Sequence, residues 1–206
     1  MTATSIVDRT APSAPAAEPL EDRIVEAMLD CIGRWGIAKT TADDIARRAG
    51  VSRATLYRVF PGGKDVAFDA LLRHETARFF AAVNGPLGEA ATLEDTVVIA
   101  FVEAARFVLD HGPLQYVLTH EPERVMPLSA VHGLERAFAI ARDFAAPHLR
   151  RFVADDEAAD AGADWMVRQF FTYALIPRPG LTLTNEADVR RFVRTYLLPA
   201  LTNQEI

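Results

Sequence analysis

A single cysteine, Cys31, stands in the chain. No intrachain disulfide can form, and a reducing compartment, the cytoplasm, is the expected setting. Apolar neighbours around Cys31 predict a buried structural thiol. Glycine is sparse, 11 in 206 residues, and the 12 prolines sit mostly in clusters or between periodic segments, which disfavours a strand-rich fold. No apolar run approaches the roughly 18 residues needed to span a bilayer, and no N-terminal apolar stretch reads as a signal peptide; no membrane partner is expected. Chemistry-bearing motifs are equally scarce. There is no glycine-rich phosphate cradle. Ser129 and His132 share a segment, but no G-x-S-x-G elbow surrounds them. The five histidines, His74, His111, His120, His132 and His148, show neither HxxxH nor HExxH spacing. No catalytic residue, cofactor or metal is expected.

Half of the residues are hydrophobic and 24% charged, with a net charge of −6. This is an ordinary balance for a globular chain. The charge is unevenly spread. Between residues 39 and 73, seven cations (Lys39, Arg47, Arg48, Arg53, Arg58, Lys64 and Arg73) face four anions (Asp43, Asp44, Asp65 and Asp69). Charge acts locally, over about 10 Å at 0.1 M salt, so a basic head on an acidic body is compatible with a polyanionic partner.

Residues 1–18 are rich in Ala, Pro, Ser and Thr without periodicity and read as a disordered tail. From Leu20 to Trp35, apolar residues recur at Ile24, Ala27, Met28, Cys31, Ile32 and Trp35, one helix face, with Gly36 as its stop. Thr41 followed by Asp44 forms a capping box for a short second helix that stops at Gly50. Ser52 caps a third, closed by Phe60 and Pro61. Helix, glycine-containing turn, helix is the helix-turn-helix pattern. Downstream, Lys64–Val83, the stretch from Leu93 and the "PLQYVLTHEP" segment are all helical in character. So are Leu128–Ala154, with a kink or break at Pro147, Asp155–Ile176 and Asn185–Leu201. The expected fold is all-α: an N-terminal three-helix bundle carrying the helix-turn-helix (residues 19–63) and a larger C-terminal helical domain (64–206).

The third helix carries the strongest functional signal. At ~100° per residue, Arg53, Ala54, Tyr57 and Arg58 fall within one arc, while Leu56, Val59 and Phe60 take the opposite side. Arginine can donate a bidentate pair of hydrogen bonds to guanine O6 and N7 in the major groove, and a small residue such as Ala54 lets the backbone come close. The hydroxyls of Thr41, Ser52, Thr55 and Tyr57 suit phosphate oxygens, as does Lys64 just beyond "PGG". Arg53 and Arg58 are therefore expected at base edges, the others mainly at the backbone.

The string "TTADDIARRAGVSRATLYRVFPGGKDVAFDALL" resembles the DNA-binding segment of the TetR family of bacterial transcription regulators. The match lies in Thr41, "IA" at 45–46, "AGVS" at 49–52, "TLY" at 55–57, Phe60 and "KD" at 64–65, within residues of roughly 20–72. "FPGGKD" is longer than the family's common spacing, which bears on where Lys64 sits. The resemblance implies a homodimer on a pseudo-palindromic double-stranded DNA operator, with the last two helices forming the interface. Geometry also asks for two heads, ~34–36 Å apart, because one recognition helix reads too few base pairs. The apolar stripe Val189, Phe192, Val193, Tyr196 and Leu197 is the candidate interface; intrachain core is the alternative reading.

The resemblance further implies a small-molecule site among the middle helices. Candidate lining residues are Phe79, Phe101, Phe107, Phe138, Trp165 and Phe170, with Arg106, Gln115, Tyr116, Gln169 and Tyr173 for orientation. An extended apolar or amphipathic effector fits such a lining better than a sugar or nucleotide. The reading is a ligand-responsive, dimeric DNA-binding regulator, a repressor released from its operator by that effector. The alternative is a ligand-independent DNA-binding protein with a solid helical core.

Overall fold

The computed structural model describes residues 19–125, 131–153 and 155–199. The expected tail (1–18) and Ser129 lie outside them. Ten helices are described, and no strand occurs among the described residues: α1 (Leu20–Lys39), α2 (Ala42–Arg48), α3 (Arg53–Val59), α4 (Lys64–Gly88), α5 (Leu93–Asp110), α6 (Gly112–His120), α7 (Pro122–Val125), α8 (Val131–Leu149), α9 (Asp156–Leu175) and α10 (Glu186–Phe192). A wider π turn over Val193–Leu197 continues α10.

Short-range capping sets most of the helix starts. The Thr41 hydroxyl accepts from the Asp44 amide while the Asp44 carboxylate takes the Thr41 amide, completing the predicted box. Ser52 caps α3 through the Thr55 amide at 3.1 Å. Thr92, Asp155 and Asn185 do the same for α5, α9 and α10. His111 caps α6, its Nδ1 accepting from the Leu114 amide at 3.0 Å. Two expected ends move. The fourth helix runs past Val83, through Pro86, to Gly88. The eighth passes through Pro147 and ends two residues later. Both prolines lie in a last turn, where little helix remains to be disrupted.

Gly36 does interrupt α1, at φ 81 and ψ 172, a conformation open to glycine and strained for other residues. One further turn, Ile37–Lys39, follows the kink. The backbone groups it frees are then met one by one. Thr40 donates its hydroxyl to the Gly36 carbonyl at 2.7 Å. The Glu121 carboxylate, 84 residues away in sequence from Ile37, accepts the Ile37 amide at 2.9 Å and the Ala38 amide at 3.2 Å. Lys64 Nζ donates to the Ile37 carbonyl at 2.5 Å.

Two main clusters form the core. In the head, Ile24, Met28, Ile45, Leu56 and Phe60 pack with Ala67, Ala70 and Leu71 of α4 and with Val117 of α6. In the body, α5 is central: Val97, Val98, Phe101 and Val102 meet Ala145, Leu149, Met166, Val189, Phe192, Val193 and Leu197. Arg190 ties α10 to the start of α5, reaching Glu94 at 2.7 Å and Asp95 at 2.8 Å. Arg194 adds a second bond to Glu94 at 2.9 Å. Hydrogen bonding from Arg194 holds the Glu94 carboxyl below its ordinary range; for Asp95 the Thr92 hydroxyl is the first cause and Arg190 the second. Cys31 is buried, as expected, and burial pushes its thiol pKa up. No helix among the described residues is long and apolar enough to cross a membrane.

Candidate nucleic-acid interface and internal cavities

The polar arc of α3 faces outward. Arg53, Ala54, Tyr57 and Arg58 are exposed, while Leu56 and Phe60 are buried in the head. The amphipathic reading of this helix holds. Arg53 is not idle: Nη1 lies 3.0 Å from Asp43 Oδ2 on α2, and its guanidinium sits 5.4 Å from the centroid of the Tyr57 ring. Tyr57, and then Asp43, raise the pKa of Arg53 and keep it charged. The pair is open to solvent, so it orients Arg53 at small energetic cost to any competing partner.

Tyr57 is braced from below. Gly63 adopts φ +68, and a Cβ built there would stand 2.7 Å from the edge of the Tyr57 ring, closer than such atoms approach. The lengthened "PGG" turn thus makes room for the tyrosine. Gly63→Ala is expected to displace Tyr57 and to destabilise the head by about 1 kcal/mol or more, through both positive φ and contact. Chemical denaturation followed by the Tyr57 ring signals in NMR would read both effects. An unchanged midpoint with unchanged ring shifts would refute the bracing.

Of the hydroxyls expected at phosphates, Thr41 donates to Asp44 Oδ2 at 2.6 Å. Ser52 Oγ and Thr55 Oγ1 lie 2.9 Å apart. Their first duty is capping, although Thr41 and Ser52 remain on the surface. Lys64 is a correction. It was expected to reach outward to the nucleic-acid backbone, but its ammonium is turned inward onto the Ile37 carbonyl and is part-buried. Burial, and then Arg124, lower its pKa. The kink at Gly36 creates the acceptor that draws it in.

Two adjoining cavities open among the helices, one within the body and one between body and head. The inner one, about 270 Å³, is lined by α4, α5, α8 and α9 and is almost wholly apolar; Phe79, Phe101, Phe144 and Phe170 are among its walls. The outer one, about 470 Å³, reaches from Phe107 and His111 to Leu29, Ile32 and Ile37 of the head. Phe79, Phe80, Val108, Ala141 and Phe171 border both.

Four of the expected lining residues are in place: Phe79, Phe101, Phe107 and Phe170. The others line neither cavity. Arg106 is paired with Glu103 on the surface at 2.6 Å. Gln115 donates to the Val108 carbonyl at 2.7 Å. Tyr116 stacks on His120, and Tyr173 packs edge-on against Phe192. Phe138 lies between Phe171 and the Arg168 guanidinium. Trp165 packs against the body core, and Gln169 is partly buried nearby. Helical periodicity marks these residues as amphipathic without saying which side of a two-sided helix meets a void. Glu75, Thr76 and His111 do line the outer cavity and carried no sequence signal, since Glu75 and Thr76 of α4 meet His111, the cap between α5 and α6, only in the fold.

The terminal stripe is also corrected. Phe192, Val193 and Leu197 are buried against their own chain, at 5% exposure or less; Tyr196 stays half exposed. These three are intrachain core, because α5 occupies the face that a partner would need. Glu26, His74 and Glu75 bring donor atoms within 4.8 Å of one another. Arg78 lies 2.9 Å from Glu75 and 3.8 Å from Glu26, so a guanidinium already answers those carboxylates.

Residues 24–71 match the family of bacterial regulatory proteins named for TetR. A helix-turn-helix-type transcriptional regulator of Mycobacterium tuberculosis is 26% identical over 191 residues, covering 92% of this chain and 89% of its own. Among solved structures, the TetR-family repressor AlkX from Dietzia, implicated in biodegradation of n-alkanes, superposes with a TM-score of 0.60 at 15% identity, over 93% of this chain and 97% of that one. A TetR-like regulator from Rhodococcus gives 0.56 at 19% identity, over 90% and 97%. These proteins are transcriptional regulators, not enzymes. Residues 24–71 thus carry the DNA-binding segment of the TetR family of bacterial regulators, and the helical architecture around that segment is similar to that of these solved regulators.

Proposed function

We propose that the protein is a dimeric repressor that leaves its operator when an apolar or amphipathic small molecule enters the paired cavities. The observation that carries this reading is the outer cavity itself, because head residues Leu29, Ile32 and Ile37 share its walls with α4, α5 and α6. A molecule seated there touches the DNA-binding head and the body at once, so its affinity depends on how the two are set. A ligand shifts such an equilibrium only by its differential affinity for the two settings. A cavity of this size also weighs against a solid core, since natural interiors hold few voids larger than a water molecule.

On DNA, Arg53 and Arg58 read bases while Tyr57, Thr41, Ser52 and Thr55 hold the backbone; Ala54 allows close approach. Two chains present two such helices to a pseudo-palindrome. The apolar groups left exposed near the ends of the last helices, Leu175, Ile176 and Tyr196, are the contacts proposed for the dimer, in place of the buried stripe. Residues 19–63 act as the reading head and 64–206 as the sensing and pairing body, in the cytoplasm.

Selection of duplexes from a random DNA pool, followed by release of the selected duplex with an organic-solvent extract of the purified protein, tests the reading. Recovery of a palindromic site that the extract dissociates is the expected result. A non-palindromic or sequence-blind pool, or a complex indifferent to every apolar compound offered, would overturn it.

A further inference from the structure

The polar wall of the outer cavity specifies the effector's head group. We infer that the effector is an apolar chain ending in a hydrogen-bond donor, a hydroxyl or a protonated amine, that binds Glu75; a carboxylate is disfavoured. This rests on the proposal that the cavities take a ligand.

The inference follows from a count of donors. His111 Nδ1 accepts from the Leu114 amide at 3.0 Å, so the ring proton is on Nε2. That proton goes to Glu75 Oε2 at 2.5 Å. Thr76 donates its own hydroxyl hydrogen to the Leu72 carbonyl at 2.7 Å. Both side-chain donors on this part of the wall are spent within the protein. Acceptors remain: Glu75 has further lone pairs beyond those taken by His111 and by Arg78 at 2.9 Å, and the Thr76 oxygen has its own. The side chains of Glu75 and His111 are only 16% and 11% exposed. In such a setting a hydrogen bond to a carboxylate counts for more than at the rim, and an added anion would find no unspent donor on His111 or Thr76.

Among the described residues, Arg124 is the one arginine or lysine on the wall of the outer cavity. It is 48% exposed and stands 3.6 Å from the Glu121 carboxylate, so solvent and that partner already answer its charge. The inner cavity offers the tail a lining that is apolar apart from Thr96 and His148 among the described residues, reached past Phe79 and Phe80. Tail inward, donor at Glu75, is the arrangement in which every group meets its complement.

Titration calorimetry of the full chain with dodecan-1-ol, dodecylamine and dodecanoate, three probes with matched tails, tests this. The alcohol and the amine are expected to bind at least about tenfold more tightly than the carboxylate. Glu75→Gln, which keeps the side chain's shape, is expected to weaken dodecylamine by about tenfold; thermal melting checks that the variant is folded. Should Glu75→Gln not fold, the ranking of the three probes on the unaltered protein decides alone. Dodecanoate binding equally or more tightly, with that binding lost in Arg124→Ala, would overturn the head-group assignment while leaving the cavities as a ligand site. If none of the three binds, the cavity reading fails and the head-group inference with it.

Discussion

Phe101→Ala is expected to destabilise the protein by about 3–5 kcal/mol, the range for a large aromatic lost from a core. Phe101 is 1% exposed in the middle of α5. Its ring meets Phe170 edge-on at 5.5 Å and lies 6.4 Å from Phe192. Because it also borders the inner cavity, truncation would enlarge a hole that already exists. Collapse is the usual relief for such a loss, and α5 has little scope for it. Arg190 and Arg194 hold its first turn to α10, while α4, α8 and α9 hold its flanks. Urea unfolding measures the loss. A cost under about 1.5 kcal/mol would mean that the neighbours close the gap and that the cavity walls are softer than their packing indicates.

The second large effect concerns recognition. Arg53→Ala is expected to weaken binding to the selected duplex by about 1–3 kcal/mol, and to relax preference at one base position. Asp43→Ala supplies the control. If Arg53 served only to brace α2 against α3, both substitutions would produce the same loss. A surface pair of this kind contributes at most about 1 kcal/mol, so Asp43→Ala is expected to leave affinity nearly unchanged or to raise it by freeing the guanidinium. Mobility-shift titrations of the two variants against the selected duplex and a scrambled one separate the outcomes. Equal losses on both DNAs would make Arg53 a phosphate contact and not a reader of bases.

The features legible in the sequence were those whose partners lie three or four residues apart. The Thr41–Asp44 box, the Ser52 cap and the split of α3 into an apolar and a polar side are all local, and each stands as read. Gly36 was legible as a stop for the same reason. What followed the stop was not. Glu121 takes the Ile37 amide from 84 positions away, and Lys64 takes the carbonyl from 27; no spacing rule links such residues. The terminal stripe shows the complementary difficulty. Periodicity at Phe192, Val193 and Leu197 establishes that one face is apolar, but its own α5 and a second chain would call for the same residues. The cavity walls were half legible because aromatic residues announce bulk, while Glu75 and His111 acquire their roles only when α4 and α5 are set side by side.

The head core reaches beyond the head. Val117 of α6 and Ala67, Ala70 and Leu71 of α4 complete the cluster around Ile24 and Leu56. The boundary at residue 63 therefore cuts through a packed interior and not through a linker. Grafting residues 19–63 onto the body of a similar regulator would leave Ile32 and Leu56 facing foreign side chains, and the graft would inherit whatever fit those happened to make. On the proposed function, operator specificity and effector response would consequently not be interchangeable parts in this protein. A swap of reading heads would then retune the proposed sensing as well, because both draw on the same buried cluster.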